Sequence, residues 1–335
     1  MHEIDLAKYD LRTDLIIEED IHNIKKNSYD KNNIHVDDII LKSNNKLKRK
    51  KGKYVTITYQ DLTDSDNFDD VFAILKDELH KMLSYCKIKE NDTCLIIGLG
   101  NRKIISDSLG SKTIEEIIVT RHMYLLGDVD QRYRNISILE PNVIGVTGID
   151  SFEIISNVVK DIKPDFIICI DSLCAMNIER LNKTIQITSS GITPGSGIGN
   201  NKKELSFDTL NVPTIAIGIP TVVNTSVIVS DTINYLLKRI SYLKNNYSNK
   251  DKLKPINKIN YLNNIKELTD KEKKEVLGYI GLLDSENLKN LIWEVLSPIN
   301  ADMIVTTKEI DFIMEKNSKL ISNALNKVLH NIEEK

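Results

Sequence analysis

Residues 165–200 read DFIICIDSLCAMNIERLNKTIQITSSGITPGSGIGN, and this stretch decides the fold. Phe166 to Ile170 is an apolar, β-branched run after Pro164, which predicts a buried strand. The run ends in one acid, Asp171. A short helical segment, Ala175–Asn182, is expected next, with Asp171 as a candidate cap. Thr184 to Thr188 alternates and is expected at a sheet edge. A loop rich in glycine follows. A buried strand that delivers one carboxylate to its carboxyl end is how open α/β sheets place binding and catalytic groups.

Working outward, strand and helix patterns alternate from about 94 to 243. Strands are expected at Cys94–Gly98, Asn135–Leu139, Asn142–Val146 and Thr214–Ile219, the last ending at Pro220. Helices are expected over residues 107–126, Asp150–Ile162 and Thr225–Leu243. Asp150 and Glu153 have the spacing of a capping box. The alternation predicts an α/β fold with a mostly parallel sheet and helices on both faces. Before it, Lys53–Tyr59 reads as a strand and Asp66–Cys86 as an amphipathic helix. Residues 22–53 are rich in Asn and Lys and end in KLKRKKGK, which reads as a solvated loop. After 244 the pattern is helical, at Asp270–Leu282, Ser285–Leu296 and Thr307–Leu329. The expected division is 1–14, 15–93, an α/β core over 94–243, and a helical C-terminal region over 244–335 packed on that core.

The chain has 335 residues, 41% of them hydrophobic, and a net charge of −3. That supports a sizeable core and argues against a nucleic-acid partner, which calls for a basic excess. No run approaches the ~20 apolar residues that span a bilayer. Cys86, Cys94, Cys169 and Cys174 have no ligand spacing and read as buried thiols of a reducing, cytoplasmic compartment.

Asp107 and Asp171 are the chemical candidates. Each follows the carboxyl end of a strand, so both should open on one rim of the sheet. Either acid alone reads more readily as a helix cap. Paired at close range, carboxyl groups divide into one acid and one base, or hold a metal. The run from Gly191 through Gly195 and Gly197 lacks both the GxxxxGK[ST] and GxGxxG spacings, so a tight loop lining a cleft fits better than a phosphate cradle. His122 lies on a helix with no nucleophile motif near it.

These motifs resemble the germination proteases of endospore-forming bacteria. GLGN (Gly98–Asn101), DSLG (Asp107–Gly110), VTRH (Val119–His122), the block from Ile170 to Ser206 and PTIAIGIPTVV (Pro213–Val223) carry the likeness. YDLRTDL (Tyr9–Leu15) resembles that family's propeptide junction. The resemblance implies an atypical aspartic endopeptidase with a fold similar to hydrogenase maturation proteases. It places the catalytic pair on Asp107 and Asp171 and a self-processing cut at Asp14–Leu15, after an acid and before an apolar residue. Asn101, His122, Ser189, Gly191, Gly195 and Gly197 are expected to line the cleft. Small acid-soluble spore proteins are the implied substrates, degraded in germination by an enzyme made as a homotetrameric zymogen in the forespore. No cofactor, nucleic acid or membrane is implied, although the maturation proteases use a metal. The alternatives are a catalytically impaired relative that binds spore proteins, and a metal-dependent maturation-type protease. Two departures stand out. The family's TPDALGP is here ISDSLGS, without prolines, and Ile16 replaces a small residue after the cut.

Overall fold

In a computed structural model, the structure describes residues 13–18, 25–43, 49–127, 129–130, 132–195, 203–246, 262 and 266–331. Two compact units result, Leu11–Val222 with Thr306–Lys335, and Met1–Asp10 with Val223–Val305. The strands are β1 (Lys25–Lys31), β2 (Ile34–Leu41), β3 (Gly52–Thr58), β4 (Cys94–Gly98), β5 (Ile136–Leu139), β6 (Phe166–Ala175), β7 (Thr184–Thr188), β8 (Thr214–Asn224) and β9 (Ile304–Val305). The helices are α1 (Ser65–Tyr85), α2 (Leu109–Glu115), α3 (Arg121–Leu126), α4 (Ile144–Thr147), α5 (Ser151–Ile162), α6 (Phe207–Leu210), α7 (Thr225–Asn246), α8 (Asp270–Leu277), α9 (Ser285–Leu296) and α10 (Ile310–Leu329).

The fold is α/β, and its sheet is mixed. In the larger unit the strand order is β1-β2-β3-β7-β8-β6-β4-β5. β4 pairs in parallel with both β5 and β6. The β1–β2, β2–β3, β3–β7 and β7–β8 pairs are antiparallel. Every residue of β6 except Ser172 is buried, because helices cover both faces. Ile168 and Ile170 join Ile96 and Ile217 in a core that takes in Leu75 of α1, Ile114 of α2 and Leu325 of α10. Ile167 and Cys169 face the other way, with Leu95, Ile97 and Ala216, against Ile155 and Val159 of α5. A strand covered twice carries apolar residues at both parities, which is why 166–170 reads as a continuous run. In the smaller unit β9 pairs with Val223 and Asn224, and α7 packs with α9. Among the described residues no helix is long and apolar enough to cross a membrane.

Several expectations are corrected. Thr184–Thr188 is not an edge strand; β7 is flanked by β3 and β8, and all five of its residues are buried. β6 does not stop at Asp171 but continues to Ala175, and the turn that follows, Ile178–Arg180, is capped by Asn177. β8 runs through Pro220, because the β7–β8 register ends at Gly218 and no β7 carbonyl there calls for a proline N–H. Asn142–Val146 is no strand; Ile144–Thr147 forms one helical turn. The helical pattern at 107–126 divides into α2 and α3. Asp150 does cap α5, but its carboxylate takes the Phe152 N–H at 2.8 Å instead of closing a box with Glu153.

The Asn/Lys-rich segment holds a hairpin that the sequence reading missed. Asn32 and Asn33 both take positive φ, 52° and 61°, as a two-residue turn between right-twisted strands requires. Asp37 accepts from Ser28 and faces Lys26, and Tyr29 donates to Glu78 of α1. Nor is the described part of KLKRKKGK wholly solvated, although Lys51 is exposed. Lys53, 7% exposed, faces Asp38, and Lys50 pairs with Glu204 and Asp208.

α10 ends at His330, which is 1% exposed. Its Nδ1 accepts the Arg134 N–H at 3.1 Å, so its Nε2 carries the proton toward Ile118 O at 3.2 Å. Burial pushes the imidazole below its usual 6.5, aided by the Arg134 charge. A depressed folded value means a contribution to stability that is full above the unfolded pKa and lost as pH falls through the folded one. The Tm of the wild type should therefore drop more between about pH 6.5 and 5 than that of His330→Asn, followed by thermal denaturation. Equal pH slopes would contradict this role for His330.

Candidate active site

The site is built where β4 leaves the sheet. The β4–β6 ladder closes with Leu99 N–H donating to Ile170 O at 2.8 Å. Asp171 is the next residue on β6, only 5% exposed, and its Oδ1 accepts the Ser172 N–H at 2.9 Å. Backbone groups of alternate strand residues point to the same edge. The Ser172 amide therefore faces the edge that β4 has just vacated, and the Asp171 carboxylate turns toward it.

Asp107 arrives from the other side of the same bend. It closes a 3-10 turn, Ile105–Asp107, that comes within 8 Å of β6 from Cα to Cα. Its Oδ2 accepts the Asn101 N–H at 2.9 Å, and its carbonyl shares that donor at 2.9 Å. The bend Leu99–Asn101 therefore meets Asp107 through Asn101 and β6 through the Leu99–Ile170 bond. Gly100 makes this fit possible. It has φ +99°, and a Cβ there would stand 2.1 Å from Asp107 O. Gly110 does the same for α2, since its Cβ would meet Leu99 N and O at 2.4 Å and Ile170 O at 2.5 Å. The GLGN and DSLG strings are thus two halves of one backbone contact.

The missing prolines are offset by hydrogen bonds. Ile104 N–H donates to Asn101 O at 2.9 Å and Asp107 N–H to Ile104 O at 2.8 Å. Ser108 Oγ donates to Ile105 O at 2.8 Å. Thr221 Oγ1, from β8, donates to Ser106 O at 2.6 Å and ties the turn to the sheet.

The bared edge of β6 is occupied by the segment 13–18. Asp14 N–H donates to Cys174 O at 3.2 Å, and Cys174 N–H donates to Asp14 Oδ2 at 2.9 Å. Met176 N–H donates to Glu18 Oε2 at 2.8 Å. The Asp14–Leu15 bond is gripped from the far side by Gln186 of β7. Its Nε2 donates to Asp14 O at 2.8 Å, and its Oε1 accepts the Ile16 N–H at 2.8 Å. Arg49 donates to Thr13 O at 2.6 Å and to Asp14 O at 3.4 Å. Leu15 is fully buried, and Ile16 sits among Ile39, Leu41 and Tyr54. Three residues of strand, about 10 Å, separate Cys174 from Asp171.

A cavity adjoins this segment, walled by Arg49, Gln186, Thr188 and Gly191 and floored by Leu173 and Gly218. Leu173 shares the Asp171 face of β6, so the cavity opens on that face. Gly191 and Gly195 take positive φ, 81° and 72°, in a tight loop. Ser190, not Ser189, lines the cavity; Ser189 Oγ instead accepts the Lys53 N–H at 2.9 Å. Asn101 lies at Asp107, to which its N–H donates. Gly197 is outside the described residues. His122 is exposed on α3, just after Thr120, whose N–H bonds Ile136 O beside Cys94, at the opposite end of β4. It is not brought to the pair. Arg49 and Gln186 were missed by sequence reasoning. Gln186 left one signal, a lone amide in the otherwise apolar and Thr-bearing TIQIT.

Nucleophilic thiol chemistry finds no support here. Burial pushes the Cys169 thiol up, and the Asp171 carboxylate adds to it. Cys174 is raised by burial and then by Asp14 and Glu18. Both stay protonated, and a thiol is a poor nucleophile. Among the described residues no three His, Cys, Asp or Glu side chains converge as metal ligands.

The germination protease family (Peptidase_A25) matches residues 4–335. The germination protease of Bacillus velezensis is 40% identical over 354 residues, covering 98% of this chain and 96% of that relative. That of Bacillus subtilis is 37% identical over 354 residues, with 98% and 95% covered. Among solved structures, a NiFe hydrogenase maturation protease from Thermococcus kodakarensis aligns with 43% of this chain and 80% of its own, at 16% identity and a TM-score of 0.29. At that score the match carries no conclusion about this chain.

Removing the Thr221 hydroxyl should free the Asp107 turn without touching either acid. Thr221→Val is expected to cost about 1–3 kcal/mol, because a carbonyl loses its donor. Amide exchange at Asn101 and Asp107 should rise with it, and an unchanged Tm and exchange rate would contradict the tether.

Proposed function

This chain belongs to the germination protease family and is a protease of spore germination, and we propose that it is an endopeptidase that starts the degradation of small acid-soluble spore proteins with Asp107 and Asp171 as its catalytic pair. The single observation that supports the reading is that the bend at Leu99–Asn101 bonds Asp107 through the Asn101 N–H and bonds Ile170, the residue before Asp171, through the Leu99 N–H. The chemistry requires one member of the pair ionised and the other protonated. The ionised carboxylate takes a proton from water as the water oxygen adds to the peptide carbonyl. The protonated one gives its proton to the departing nitrogen as the C–N bond breaks.

The protein is made as a zymogen in the forespore, assembles as a homotetramer, and removes residues 1–14 by cutting Asp14–Leu15. The grip of Gln186 and Arg49 on that bond supports latency. With its carbonyl held and Leu15 buried, the bond stands about 10 Å along β6 from Asp171 and has to be released before it can be cut.

Incubation with a small acid-soluble spore protein, read by mass spectrometry, tests the pair. The processed chain should cut it, and Asp171→Asn and Asp107→Asn should each lose about a hundredfold or more in rate with the Tm kept. Wild-type rates in either variant would overturn the assignment. Cleavage by no form of the chain would favour a relative that only binds spore proteins, and loss of activity to a chelator would favour a metal-dependent protease.

A further inference from the structure

We propose that Arg102 is a positioning residue for the cleavage reaction: held by Glu140 and Glu115, it anchors the Asn101 amide that orients the Asp107 carboxylate. The proposal rests on the reading of Asp107 as one of the catalytic pair.

The segment from Asn101 to Asp107 is a small closed loop. Asn101 N–H, at its start, donates to Oδ2 and to the carbonyl of Asp107, at its end, both at 2.9 Å. Side-chain packing does little to hold the loop. Arg102, Lys103, Ile104 and Ile105 are all exposed, the two isoleucines by 51% and 46%. Polar ties therefore settle its position. Thr221 of β8 supplies one, through Ser106 O. Arg102 supplies the other. Its Nε donates to Glu140 Oε1 at 3.0 Å, its Nη2 to Glu140 Oε2 and its Nη1 to Glu115. β6 and β4 lie between β8 and β5 in the sheet, so the two ties reach the loop from opposite sides.

Both carboxylates come from fixed elements. Glu140 directly follows β5, which runs parallel to β4, so it stands on the same rim as the loop. Pro141 after it confines its backbone to extended angles. Glu115 is the last residue of α2, the helix that Gly110 seats on Leu99 and Ile170. A carboxylate there faces the negative end of the helix, and the guanidinium offsets this.

A single exposed ion pair adds little, because two long side chains are ordered for a screened attraction. A two-point fork between Arg and a carboxylate differs, since it fixes direction as well as distance. The Arg102 guanidinium also holds the Glu140 carboxyl below its usual range, so the pair stays charged through neutral pH. With two acids on one guanidinium the cluster keeps a net negative charge, which suits a strut and not a receptor for an acidic substrate residue. Misplacing a reacting group by about 1 Å can cost about a hundredfold in rate. A loss that falls on the orientation of Asp107, and not on substrate contacts, appears in kcat.

Steady-state cleavage of a small acid-soluble spore protein by the processed chain reads the effect. Arg102→Gln and Glu140→Gln should each lower kcat about tenfold and leave KM within about twofold, with Arg102→Lys, which lacks the fork, in between. The two losses should not add, so the double variant should be no slower than Arg102→Gln alone. In the full-length chain, hydrogen exchange at the Asn101 amide should quicken about tenfold in Arg102→Gln. An unchanged kcat, a loss confined to KM, or independent losses in the double variant would overturn the proposal. So would a lower Tm with kcat and Asn101 exchange both kept, which is what a merely stabilising surface pair gives. If the wild type cuts nothing, the protease reading fails, while Asn101 exchange still decides whether the anchor exists.

Discussion

The hydrogen bond from Leu99 N–H to Ile170 O is the last rung between β4 and β6, and the rest of the site depends on what stops there. β4 turns away, and β6 runs on from Asp171 to Ala175 with an open edge. Unpaired backbone groups in a buried setting have to be answered, and an open edge is also a template for another chain. The protein answers them in three ways along that edge. Asp171 bonds the Ser172 amide with its own side chain, Asp14 pairs with Cys174, and Glu18 takes the Met176 amide. The same shortfall of one strand makes room for the Asp107 turn and for the N-terminal segment.

The bend that ends β4 is tight because two glycines permit contact between backbones. Gly100 lets Asp107 approach, and Gly110 lets α2 settle on Leu99 and Ile170. The position of Asp107 is therefore fixed by main-chain packing, with Thr221 holding the turn to β8. Prolines are one way to stiffen such a turn; here hydrogen bonds at Asn101, Ile104 and Ile105 serve instead.

Much of this was legible in the sequence. The β-branched runs at 94–98 and 166–170 were fully buried parallel strands, because a strand covered on both faces needs apolar residues at both parities. The two acids were found because each follows such a run. What the sequence did not reveal depended on pairing between distant segments. Nothing local distinguishes β7 as interior, since its burial comes from β3 on one side and β8 on the other. The hairpin of β1 and β2 was hidden by composition, although Asn32–Asn33 carried its turn signal. Arg49 read as part of a charge run, and only the fold brings it to Asp14, 35 residues earlier in the chain. His122 was drawn to the site by proximity in a motif, but Thr120, two residues before it, bonds Ile136 beside Cys94 at the opposite end of β4.

The intact mass and N-terminal sequence of the chain after self-processing test the central claim most directly. The wild type should lose residues 1–14 and begin at Leu15, and the Asp171→Asn chain should remain whole. A cut at Leu15 in the Asp171→Asn chain under conditions where no other protease is present would contradict it.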